Sequence, residues 1–133
     1  MSSIVLDSAA VLAFVLGEPG GRKVGALIGR LDAKEDLTVA ISTVNWCEIL
    51  TRLLRENKSM TAAELAALLS GVELVPVGRA DAELAASYSS QDQSLSLGDR
   101  VCLALAHLRG ATAWTTDRIW ARTKINVPIE VLR

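Results

Sequence analysis

Three consecutive apolar residues, Ile4, Val5 and Leu6, stop at Asp7 and Ser8, and residues 9–16 then form an alanine- and leucine-rich run closed by Gly17-Glu18-Pro19-Gly20-Gly21. A short apolar run before polar residues predicts a strand, and a longer run ended by a glycine-proline cluster predicts a helix. The alternation continues down the chain. A second helix is expected near residues 22–31, a charged turn over 32–36 and a strand over 38–41. A long helix follows near 44–56, where Trp46, Ile49, Leu50, Leu53 and Leu54 fit the i, i+3, i+4, i+7 spacing of one apolar face. Thr61-Ala62-Ala63-Glu64 is a capping-box pattern that opens another helix, ended by Gly71. Next come a strand over 72–77, a helix over 81–88, a polar loop over 89–94 and a helix over 96–109 closed by Gly110. A strand over 111–114 breaks at Thr115-Thr116-Asp117, and a short helical turn and a last strand near 129–132 complete the pattern.

Strands that alternate with helices need crossover connections, which favour a mainly parallel sheet covered on both faces. The expected fold is therefore α/β, a three-layer α/β/α sandwich. No linker, repeat or low-complexity segment divides the chain, so 1–133 is expected to be a single domain. In such sheets ligands bind beyond the carboxyl ends of the strands. Asp7 and Asp117 each follow a predicted strand, and Glu48 lies in the first turns of the helix after the 38–41 strand, above the same edge. Asp99 begins the helix that leads into the strand before Asp117, so its approach to that edge depends on the path of the 89–96 loop.

Composition adds constraints. Lysine and arginine number 14 against 15 aspartates and glutamates, a formal net charge of −1, which argues against a basic, DNA-coating protein. Four carboxylates crowded together would raise one another's pKa and oppose folding unless a cation joined them. An all-oxygen donor set suits Mg²⁺ or Mn²⁺, and the matching chemistry is metal-assisted hydrolysis of a phosphodiester, with no protein nucleophile. The single histidine, His107, excludes a multi-histidine zinc site, and Cys47 and Cys102 share no short ligand spacing. Both cysteines fall in helical apolar patterns and are expected to be buried, reduced thiols, which makes the cytoplasm the expected compartment. No basic residue precedes Arg22, so no signal peptide is expected, and the 9–16 run is too short for a membrane span.

Each acid also has a purely structural reading. Asp7 can cap the helix that follows it, Ser96-Leu97-Gly98-Asp99 is a capping box, and Asp117 can cap the turn at 118–121. Glu48 can be a solvated residue paired with Arg52, four positions on.

In order, these segments resemble the PIN-domain ribonucleases of the VapC toxin group. The resemblance rests on Ile4-Val5-Leu6-Asp7-Ser8-Ala9-Ala10-Val11-Leu12-Ala13 with Gly17-Glu18-Pro19-Gly20, on Ser42-Thr43-Val44-Asn45-Trp46-Cys47-Glu48, on Leu95-Ser96-Leu97-Gly98-Asp99-Arg100, and on Ala113-Trp114-Thr115-Thr116-Asp117-Arg118. It covers essentially the whole chain. It implies a PIN-like fold and an Mg²⁺-dependent endoribonuclease, Mn²⁺ being a possible substitute, that serves as the toxin of a type II toxin-antitoxin pair. It further implies inhibition by a small antitoxin and a homodimer. Asp7 and Asp99 match the first metal ligands, Glu48 and Asp117 the remaining catalytic acids, acting directly or through water, and Thr116 a supporting hydroxyl. The family commonly carries a hydroxyl two residues after the first aspartate, where this chain has Ala9.

Basic residues accompany the acids: Arg52, Arg55 and Lys58 on the helix of Glu48, and Arg100, Arg118 and Arg122 beside the others. Arg52, Arg100 and Arg118 are candidate contacts to an RNA backbone. His107 is expected to be packed or half exposed, and Trp46 and Trp114 to be core residues, whereas Trp120 can pack or stack on a base. The alanine- and leucine-rich stretches 9–16 and 62–69 are expected to leave apolar surface for a second copy or the antitoxin. Two alternatives stand beside the nuclease. One is a catalytically silent PIN-like module that binds RNA or a partner. The other is a phosphotransfer enzyme with Asp7 as nucleophile, which would want a second aspartate where Ala9 stands.

Overall fold

The structure, a computed structural model, describes residues 2–33 and 36–133. Lys34 and Glu35, in the middle of the charged turn expected over 32–36, lie outside the described residues. The elements run β1 (Ser2–Leu6), α1 (Ser8–Leu16), α2 (Gly21–Leu31), β2 (Leu37–Ser42), α3 (Thr43–Arg55), α4 (Ala62–Leu68), β3 (Glu73–Val75), α5 (Arg79–Tyr88), α6 (Leu97–Arg109), β4 (Thr112–Thr115), a 3-10 turn (Arg118–Arg122) and β5 (Ile129–Val131). The strands form one sheet in the order β3-β2-β1-β4-β5, and every neighbouring pair is parallel. Ile4 of β1 stands opposite Val39 of β2 on one side and Thr112 of β4 on the other.

Two apolar layers account for the sandwich. Because strand side chains alternate between faces, Ile4 and Leu6 enter one layer with Val39 and Ile41, while Val5 and Ala40 enter the other. The first layer is completed by Val11 and Leu12 of α1, Val24 and Leu27 of α2, Ile49 and Leu53 of α3, and Leu65 of α4. The second is completed by α5 and by the run from Val101 to Ala106 of α6, with Trp120, Ile125 and Val127. The continuous hydrophobic character of β1 and β2 thus reflects burial on both sides, as parallel sheets require.

Local signals set the ends of the helices. Thr61 and Glu64 form the expected capping box, and Gly110 ends α6 with a φ of 61°, a left-handed conformation that glycine adopts without steric cost. Several expectations are corrected. Leu54 is 75% exposed, because the buried stripe of α3 is Asn45, Ile49 and Leu53, and a residue five beyond Ile49 lies roughly 140° around the helix. Cys47 is exposed on that same helix, while Cys102 is fully buried, and both are free thiols. His107 is exposed in the last turn of α6. Trp46 and Trp114 pack against the first layer from its margin, and Trp120 is the tryptophan that becomes fully buried, its indole N–H without a partner.

Candidate metal-carboxylate site

Asp7 leaves β1 with extended backbone angles, and its carboxylate accepts a 2.7 Å hydrogen bond from the Ala10 amide, capping α1. Its own amide donates to the Trp114 carbonyl, which ties it to the end of β4. Ser42, the last residue of β2, caps α3, so that Glu48 rises from the second turn of a helix rooted on the strand beside β1. Asp117 follows the end of β4 and caps the 3-10 turn through a 3.0 Å bond from the Ile119 amide. Asp99 is the third residue of α6, and its carboxylate accepts a 2.9 Å bond from the Ser96 amide, closing the capping box.

Three of the four structural readings therefore hold: Asp7 and Asp117 are N-caps, and Asp99 closes the capping box that Ser96 opens. The fourth does not, since Arg52 pairs with Glu18 at 3.7 Å and with Glu56, while Glu48 accepts a 2.8 Å bond from the Asn45 side-chain amide. Capping does not keep the acids apart, because it brings the starts of α1, α6 and the 3-10 turn to one edge of the sheet. The Asp7 carboxyl is only 3% exposed and is pushed up to about 7. Burial is the main cause, and the charges of Asp99 and Asp117 add to it, against the lowering effect of bonds from the Thr115 hydroxyl and the Ala10 amide. Asp99 is raised as well, first by burial, with Asp117 and Glu48 contributing as like charges. Asp99, whose approach the sequence leaves to the loop path, thus comes within electrostatic reach of the other three acids.

Among the described residues none of the four acids makes an ion pair with a basic side chain. Nor, among those residues, do three histidine, cysteine, aspartate or glutamate side chains stand as a ready-formed ligand cage. Each carboxylate accepts a hydrogen bond from an N–H donor, at Ala10, Asn45, Ser96 or Ile119. An all-oxygen donor set, a carboxyl raised first by burial and further by neighbouring acids, and the lack of a paired basic side chain among the described residues fit a hard divalent cation.

The supporting residues differ from expectation. The hydroxyl that touches Asp7 belongs to Thr115, which is fully buried and also accepts a 3.0 Å bond from the Asp117 amide. Thr116 instead packs its methyl group against Gly20. Arg100 is committed to the Ala85 carbonyl at 3.1 Å and Arg52 to its two glutamates, whereas Arg118 is exposed beside Asp117. A concavity of about 850 Å³ lies at the α1–α2 turn among Phe14, Glu18, Arg22, Lys23 and Arg133, and none of the four acids lines it. Sequence reasoning gave no role to Asn45, a buried amide between Ser42 and Glu48, although its place three residues before a candidate site glutamate on one helix face is a usable signal.

A five-stranded parallel sheet covered by helices on both faces, with acidic residues just beyond the carboxyl ends of its central strands, defines the class as an α/β sandwich. Within that class this chain belongs to the PIN domain family, whose family model matches residues 4–126. No curated protein sequence matches it. Among solved structures it is similar to VapBC2 from Rickettsia felis, described as bound to a DNA fragment from their promoter, with 16% identity, 98% of this chain and 99% of that chain covered, and a TM-score of 0.74. It is similar also to a toxin-antitoxin complex from Klebsiella pneumoniae, with 17% identity, 96% of each chain covered and a TM-score of 0.69. A third is Mycobacterium tuberculosis VapC20, described as a sarcin-ricin loop cleaving toxin, with 21% identity, 94% of this chain and 99% of that chain covered, and a TM-score of 0.67. Nuclease activity and divalent-metal dependence are typical of PIN-domain toxins.

Proposed function

We propose that the chain is a divalent-metal-dependent endoribonuclease, built as one PIN domain, and the toxin of a type II toxin-antitoxin pair. One observation carries the reading: Asp7, Glu48, Asp99 and Asp117 share an edge of the sheet, and among the described residues no basic side chain pairs with them. Asp7 and Asp99 would hold Mg²⁺ or Mn²⁺ first, with Glu48 and Asp117 completing the set directly or through water. When bound, the metal supplies an activated water and charge neutralisation for phosphodiester hydrolysis. The protein's own part is to hold the carboxylates in place: Thr115 orients Asp7, the 3-10 turn fixes Asp117, and the capping box fixes Asp99. Arg118, exposed beside Asp117, can meet an RNA phosphate, whereas Arg52 and Arg100 are engaged within the fold. An Asp7 nucleophile is disfavoured, because its carboxylate is buried and held by the Ala10 amide.

The toxin role draws on the family and on neighbours described as toxin-antitoxin complexes. The partners that follow are an RNA substrate, a cognate antitoxin protein and a second copy of the chain. No described helix is long and apolar enough to cross a membrane. A cytoplasmic location follows from the proposed toxin role. The test is cleavage of mixed RNA by the purified protein with Mg²⁺, with excess chelator, and after Asp7→Asn. Cutting is expected in the first condition and loss of at least about 100-fold in the other two, in keeping with the several kcal/mol a metal contributes to such a transition state. Unchanged cutting in chelator would remove the metal mechanism.

A further inference from the structure

Asn45 lies on the buried stripe of α3 at 1% exposure, where an apolar residue would otherwise be expected. Its side chain is fully engaged. Oδ1 accepts from the Ser42 hydroxyl at 2.9 Å, while Nδ2 donates to Glu48 Oε1 at 2.8 Å and to the Gly98 carbonyl at 3.3 Å. Ser42 Oγ in turn accepts from the Asn45 amide at 3.1 Å. One amide therefore joins the end of β2, the carboxylate of Glu48 and the first turn of α6, one residue before Asp99. Gly98 forms the other wall. It is buried, and a Cβ there would overlap both carboxylate oxygens of Glu48. The Glu48 carboxylate is thus pressed against a bare backbone on one side and held by an amide on the other.

We infer that Asn45 and Gly98 are positioning residues that together set the Glu48 carboxylate relative to Asp99. The inference rests on the metal-dependent reading given above. An isolated glutamate in the second turn of a helix has several rotamers, and only a fixed one can be shared with ligands on another helix. Asn45 selects the rotamer by donating to Oε1, and Gly98 makes room for it. The burial of a polar amide at a core position is accounted for in the same way, because each of its hydrogen-bonding atoms has a partner.

The test is Mn²⁺ titration of the purified protein, read by loss of the free-ion paramagnetic resonance signal, with thermal melting recorded alongside. Asn45→Ala and Gly98→Ala are each expected to weaken Mn²⁺ binding about 10-fold, the scale of removing a hydrogen-bonding partner of a ligand. Neither should weaken it further in a chain that already carries Glu48→Gln, because a residue acting through Glu48 has nothing left to position. Gly98→Ala removes no hydrogen-bonding group and places a better helix former in α6, so it decides the matter if Asn45→Ala fails to fold. Wild-type Mn²⁺ affinity in both single variants, or losses that add in full to that of Glu48→Gln, would overturn the inference. If the wild-type chain itself bound no Mn²⁺, or bound it equally well after Asp7→Asn and Asp99→Asn, the metal-dependent reading would fall first and take the inference with it.

Discussion

At the scale of single residues, Asp7 is the most strained electrostatically. Its carboxyl is held near 7 in the fold against 3.8 for an ordinary aspartate, with burial the first cause. A group raised in the folded state gives stability that is fully present below its unfolded pKa and is lost as pH rises through its folded pKa. The metal-free protein should therefore lose stability between about pH 4 and about pH 7, by on the order of 4 kcal/mol as an upper bound from this one group. Asp7→Asn, which can keep the cap oxygen, should raise the melting temperature of metal-free protein at pH 8 and leave it nearly unchanged at pH 4. Differential scanning calorimetry at the two pH values checks the sign, and equal effects at both would contradict it. The position of Asp7 was legible in the sequence because a strand followed at once by an acid and a helix leaves little choice of geometry. Thr115 was not legible: of two adjacent threonines, the strand's alternation decides which one faces Asp7, and β4 runs one residue further than its apolar pattern indicates.

At the scale of elements, α3 separates what periodicity can decide from what it cannot. Five apolar side chains fit one face on paper, yet the fold buries Ile49 and Leu53 completely, leaves Leu50 and Trp46 at the margin, and turns Leu54 to the outside. Leu53→Ala should cost about 2 to 5 kcal/mol through the cavity it leaves. Leu54→Ala should change stability by less than about 0.5 kcal/mol. Chemical denaturation of the two variants distinguishes them, and similar losses would mean that Leu54 is covered in the folded protein. Helix starts were easier to foresee than helix faces. Caps at Thr61 and Ser96 are local bonds between residues three apart, whereas the choice of buried stripe depends on where the sheet lies.

At the scale of the whole molecule, the strand–helix alternation was enough to anticipate a parallel sandwich, because covering both faces of such a sheet leaves few arrangements. The meeting of four acids separated by up to 110 positions was only partly legible. Topology placed Asp7, Glu48 and Asp117 on one edge, but Asp99 arrives there through the packing of α6 against β1, β2 and α3, which no local pattern encodes. That convergence predicts how the molecule responds to its environment. Mn²⁺ at about 100 times its dissociation constant should stabilise the fold by about 2.7 kcal/mol. The gain should shrink as pH falls through about 7, where protons begin to compete for Asp7, and shrink further as Asp99, also raised, takes up its proton. Thermal melts with and without Mn²⁺ across that range provide the check, and a shift independent of pH would point to binding elsewhere.

The central position of β1 has a consequence for timing. Its partners are β2, which follows soon after it, and β4, which is made only after α3, α4, β3, α5 and α6. Until residues 112–117 emerge from the ribosome, Asp7 has no Trp114 carbonyl to bind, no Thr115 beside it and no Asp117 across from it. A growing chain therefore already holds Asp7, Glu48 and Asp99 before the strand that completes their edge has been made, and the proposed metal site can assemble only after residues 112–117 have been added.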